Sequence, residues 1–192
     1  MNEPVRNAHA LLRLSYHQFE LVDRGMDGTS PPTLDAAHAN GLVAAQRGAA
    51  VVLASIHTGY VDLSVDLHDH APEPDTAPWD DVVEISLDAP HGEVRAAGLM
   101  SNPPQGLPVL THAGPGTYRV RVHVRGRDTA VDQVATDPVE FYRLSLWPAP
   151  AAPTVIHKQT DHYGATLRAR ALSHPLTHDT PETVLPIRSD HD

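Results

Sequence analysis

The chain has 192 residues, no cysteine, and 24 acidic against 14 basic side chains, a formal net charge of −10 with histidine neutral. That length suits one domain, expected over 1–150, followed by a C-terminal extension over 151–192, and the lack of cysteine excludes disulfides, thiolate metal sites and a cysteine nucleophile. Residues 1–10 (MNEPVRNAHA) hold no apolar signal-peptide core and no stretch reaches 18 continuous apolar residues, so the expectation is a cytoplasmic protein without a membrane span.

Alternation with a period of two dominates the chain. Over 9–22, Leu12, Leu14 and Tyr16 share one parity while Phe19 and Leu21 carry the other, which predicts a strand with a bulge near Tyr16–His17. Residues 25–32 (GMDGTSPP) read as a loop. Thr33 caps a short predicted helix over 34–39 that Gly41 would end. The apolar run 48–56 reads as a buried strand, although its periodicity alone admits a helix.

The clearest strand covers 60–70, where Val61, Leu63, Val65 and Leu67 alternate with Asp62, Ser64, Asp66 and His68. After a loop over 71–78, strands are predicted over 80–88 and, more weakly, 93–100, then a short one over 109–111. In 117–126, Tyr118, Val120, Val122 and Val124 form an apolar face opposite Arg119, Arg121, His123 and Arg125, and 139–147 supplies a last strand. These elements predict an all-β domain, an antiparallel β-sandwich of about eight strands with one short helix. From Pro148 onward the chain is proline-punctuated and polar, and reads as a partly disordered tail in which 154–172 is the part expected to dock.

Charge is unevenly distributed. No lysine or arginine lies between Arg47 and Arg95, whereas ten carboxylates from Asp62 to Glu93 do. This middle lacks the basic footprint of a nucleic-acid binder and suits steering toward a basic partner. His68-Asp69-His70 at a strand end has a spacing compatible with a metal or small-ligand site of cupin-like type, but no second cluster or glycine framework accompanies it. No nucleophile elbow or phosphate-binding glycine loop is present, and no cofactor is implied. Tyr16, His17 and Phe19 interrupt a strand with large side chains of the kind enriched at protein interfaces.

Leu14-Ser15-Tyr16-His17-Gln18-Phe19 on the first strand, Gly41-Leu42-Val43-Ala44-Ala45 leading into Gly48-Ala49, and Trp147-Pro148 near the last strand together resemble the competence protein J family, small bacterial proteins described as inhibitors of a DNA-entry nuclease. The likeness spans 11–147; the central loops 71–78 and 102–108 and the tail depart from it. The resemblance implies a non-enzymatic protein whose partner is a nuclease. An acidic face would cover the nuclease's basic groove, with Asp62, Asp66, Asp81, Glu84 and Asp88 as contacts beside Tyr16, His17 and Phe19. An immunity-like regulator of another protein, and a ligand-binding domain using His68 and His70, are the competing readings.

Overall fold

The computed structural model describes residues 3–25 and 32–173. Residues 26–31 of the loop predicted over 25–32, and the end of the tail over 174–192 with His174, His178 and His191, lie outside the described residues.

Among the described residues, eleven strands and two helices follow in chain order: β1 (Arg6–Ser15), β2 (Gln18–Asp23), α1 (Leu34–His38), β3 (Val43–Gln46), β4 (Ala49–Leu53), β5 (Thr58–Leu67), β6 (Asp81–Ala89), β7 (Val94–Gly98), β8 (Gly116–Arg125), β9 (Val134–Ala135), β10 (Phe141–Pro148), β11 (Val155–Gln159) and α2 (His162–Ser173). The strands form one sheet in the order β11-β6-β8-β10-β5-β1-β2-β4-β3, with β7 paired to β2 and β9 to β5. Both β9 and β10 run parallel to β5, and the remaining pairs are antiparallel.

The expected antiparallel sandwich of eight strands is therefore corrected to a single mixed sheet of eleven that curls on itself. Alternation reports that one face of a strand is buried; it carries neither strand direction nor what covers that face. Here the sheet covers itself. The turn between β3 and β4 reaches the far end of β6, where Gly48 N–H donates to the Asp88 carbonyl at 2.8 Å. Leu12, Leu14, Phe19, Val52, Leu63, Val83, Val122 and Leu144, from seven different strands, meet in one fully buried core. Phe19 and Tyr142 pack edge to face with centroids 5.2 Å apart, a pair worth about 0.5–1.5 kcal/mol beyond its burial.

One smaller expectation holds and another changes. The run 48–56 contains β4, a strand with all five residues buried, so the helical alternative falls. The bulge at Tyr16–His17 is instead a hairpin turn: Ser15 pairs with Gln18 and the 9–22 strand divides into β1 and β2. Close packing at β9 depends on Gly59 (φ +147), where a Cβ would collide with the Ala135 carbonyl oxygen.

Residues 155–173 join the fold through charge and backbone pairing more than through apolar burial. β11 pairs with β6. The N-terminus of α2 is capped by Asp128, which accepts from His162 N–H and Tyr163 N–H at 2.9 and 2.8 Å. Arg127 is fully buried beneath the helix. It donates to Asp161 at 2.6 Å, to the Gly41 carbonyl at 2.7 Å and to Asp81 at 3.2 Å.

Candidate functional site

The β1–β2 turn has positive φ at both central residues, 56° at Tyr16 and 61° at His17. A two-residue hairpin of this kind favours Asn-Gly, because left-handed backbone costs a residue with a Cβ about 1–2 kcal/mol. Tyrosine and histidine therefore hold a strained turn, and surrounding contacts must offset the strain. His17 makes several. Its backbone exchanges hydrogen bonds with the 54–57 segment, donating to the His57 carbonyl at 3.3 Å and accepting from Ala54 N–H at 2.8 Å. Its Nδ1 lies 3.1 Å from the Ser55 carbonyl and its Nε2 3.3 Å from the Asp132 carboxylate. Its ring meets the edge of His57 at 5.1 Å.

Tyr16 projects from this platform. It is 60% exposed and touches protein chiefly through the His57 ring, 5.5 Å away. Beneath the platform, Glu140 is buried and spans the 55–56 backbone. One carboxylate oxygen accepts from Ser55 N–H, Ser55 Oγ and Ile56 N–H at 3.0, 2.8 and 2.7 Å; the other accepts from Tyr142 Oη at 2.6 Å. Burial and the Glu140 charge push the Tyr142 hydroxyl well above the ordinary tyrosine range. It therefore keeps its single proton, which is directed at Glu140 with the Leu53 carbonyl oxygen 3.0 Å away.

The 126–133 loop carries the tip's second neighbour. Asp132 adopts φ 59° with its side chain 76% exposed, and Val131 and Val134 nearby are exposed. Val131 also lines an open groove of about 340 Å³ against Tyr163, Leu167 and Arg170 of α2. Aromatic, apolar and acidic groups thus adjoin at one end of the sheet.

The other predicted contact residues are not brought together. Asp62 and Asp66 point outward from β5 and are partly exposed. Asp88 stands near the end of β6, half-exposed and paired with Arg47 at 3.2 Å. Asp81 faces inward and is buried with Arg127; Phe19 is buried in the core. Glu84 points outward yet is buried, because the 68–80 and 149–157 segments cover that part of the sheet. Its two oxygens receive Arg119 at 2.8 Å and Arg121 at 3.0 Å, with His157 at 3.1 Å. Burial acts to raise its carboxyl, but hydrogen bonds from His157, Arg119 and Arg121 outweigh that and leave it below the ordinary carboxylate range. The arginine row predicted on β8 is largely consumed in this way. Full burial removes Phe19 and Asp81 from any contact surface, and near-complete burial among cations does the same for Glu84.

His68 and His70 occupy different environments: His68 is buried and His70 is exposed. Burial, the first cause, lowers the His68 imidazole from its ordinary value. Among the described residues no group of three or more histidine, cysteine or carboxylate side chains is arranged to hold a metal ion. None of the described helices is long and apolar enough to cross a membrane. His57, Asp132 and Glu140, which complete the tip, have no local signature in the sequence.

The curled mixed sheet is a ComJ-like fold. Among solved structures the chain is similar to ComJ of Bacillus subtilis, inhibitor of the DNA degrading activity of NucA, with a TM-score of 0.50 at 15% identity over 78% of this chain and 99% of that one. It is also similar to the crocagin biosynthetic gene J protein, with a TM-score of 0.48 at 19% identity over 76% and 98%. No protein-family model matches the sequence, and no curated protein does.

Proposed function

We propose that the chain works by binding a protein partner rather than by catalysis, that the Tyr16–His17 tip is the centre of the contact, and that the partner is a nuclease whose substrate groove the protein occludes. The observation that carries this reading is the tip itself: two consecutive left-handed residues with side chains, held on a built platform, one of them an exposed tyrosine. Such strain persists where surrounding structure enforces it, and exposed tyrosine is enriched among interface anchors. The ComJ-like fold supports the inhibitor reading, since ComJ is an inhibitor of the DNA degrading activity of NucA.

Asp132 replaces the 62–93 block as the nearest carboxylate to the tip, with Asp62 and Asp66 along β5 as outlying acidic contacts and Asp88 further off. The buried carboxylates each have a structural use. Asp81 and Asp161 neutralise Arg127, Glu84 neutralises Arg119 and Arg121, and Glu140 holds the 55–56 backbone. An immunity-like role toward another protein would use the same surface, and the partner's identity separates the two.

The test is degradation of linear duplex DNA by purified nucleases encoded beside the gene, titrated with the purified chain at low and high salt. Stoichiometric inhibition that Tyr16→Ala weakens at least tenfold is expected. Full nuclease activity at excess protein, with no complex by size-exclusion chromatography, would remove the reading.

A further inference from the structure

The two ring nitrogens of His17 face different partners of one kind. Nδ1 lies 3.1 Å from the Ser55 carbonyl oxygen, and Nε2 lies 3.3 Å from Asp132 Oδ1. A carbonyl only accepts, and so does an ionised carboxylate. The Ser55 carbonyl also receives Asp132 N–H at 2.8 Å, which ties the carbonyl and the carboxylate to one side of the ring's surroundings. Neutral imidazole carries a single N–H and can serve one of these acceptors; imidazolium serves both. Among the described residues no other histidine has acceptors at both nitrogens. His57, which packs on the same ring, is placed 3.0 Å from Thr58 Oγ1, a hydroxyl that can give or take a proton.

We propose that protonation of His17 is a switch for the tip: the imidazolium clamps the β1–β2 turn to the 54–57 segment and to Asp132, and loss of the proton releases one of these contacts. The ring's surroundings come from several elements. Asp132 comes from the 126–133 loop, His57 from the segment after β4, and Tyr16 from the turn itself; Glu140 lies behind the 55–56 backbone and is occupied by four donors. Among the described residues, Asp132 is the one carboxylate in contact with the ring. The clamp is therefore complete while both His17 ring nitrogens carry a proton, and one contact is lost when either proton leaves. Since the strained backbone of residues 16–17 depends on these contacts, their loss changes how Tyr16 is presented. The regulatory meaning rests on the tip being the contact surface; the switch can be measured without any partner.

The experiment is a heteronuclear NMR titration of the full chain from about pH 8.5 to about pH 5, following the His17 ring nitrogens and the backbone amides of 15–18 and 131–133. In the wild type these amides move together with His17 protonation. Asp132→Asn supplies an amide N–H that a neutral Nε2 can accept, so it should at least halve the movement at 15–18; His17→Gln should abolish it. Both variants alter partly exposed side chains and leave the core intact. Tip amides that ignore His17 titration, or that move equally in Asp132→Asn, overturn the proposal, and either result stands whether or not a nuclease is inhibited.

Discussion

Asp62 and Glu84 both point to the outer side of one sheet, yet β10 and β8 stand between their strands, about 14 Å across. Asp62 is partly exposed and 2.9 Å from His9, whereas Glu84 is enclosed by two arginines and a histidine. Carboxylates that look continuous along the chain thus serve separate purposes. One tunes a surface and the other neutralises buried cations.

This difference is measurable in stability. Glu84→Gln leaves Arg119 and Arg121 uncompensated beneath the 149–157 segment and should cost about 3–5 kcal/mol by urea denaturation. Asp62→Asn, at a surface pair, should stay within about 0.5 kcal/mol of wild type.

Tyr16→Asn separates strain from packing. Asparagine tolerates left-handed backbone better than tyrosine, and the tyrosine buries little. The variant is expected to be as stable as wild type or up to about 1 kcal/mol more stable by urea denaturation, while the partner binding assigned to the tip under the proposed function is lost. A functional residue whose removal stabilises the fold is the pattern of a site bought with strain.

Glu140 distinguishes charge from hydrogen bonding. Glu140→Gln keeps an oxygen for Ser55 and Ile56 and presents an amide to Tyr142, so a cost near 1 kcal/mol is expected. Glu140→Leu strands the Ser55 and Ile56 donors and should cost about 3 kcal/mol or more, with the 54–57 amides losing hydrogen-exchange protection.

His123 sets an acid limit. Burial, then the charge of Arg143, push its imidazole down to about 3. The folded state keeps it neutral while the unfolded chain takes up a proton below about 6.5, so stability falls as pH drops through that interval. Between pH 6.5 and 5.0 this single group should remove about 2 kcal/mol. His123→Leu should show a shallower loss over the same range in parallel urea titrations, and an identical slope would refute the assignment.

The strands that bury one face were legible because alternation needs only local sequence. Val61, Leu63, Val65 and Leu67 are all fully buried, as their spacing predicts, and Thr33 caps α1 by accepting from Ala36 N–H at 3.4 Å. At Tyr16–His17 the parity change was visible, but a bulge and a two-residue hairpin both invert parity, so the turn was not distinguishable. The helix α2 was not legible: of its residues only Gly164 and Leu167 are buried, and it is held by Asp128 and by the Arg127–Asp161 pair across 34 positions of chain. The burial of Glu84 was equally hidden, since alternation places it outward correctly and says nothing of the segments that cover it. The parallel pairing of β10 with β5 leaves no local mark either.

The most direct measurement is calorimetric titration of the purified chain into the nuclease that the proposed function assigns as its partner, wild type against Tyr16→Ala, with circular dichroism confirming that both are folded. A one-to-one complex whose affinity falls at least tenfold in the folded variant is the predicted result. Equal affinity of the two, or binding abolished only by changes remote from the tip, would contradict it.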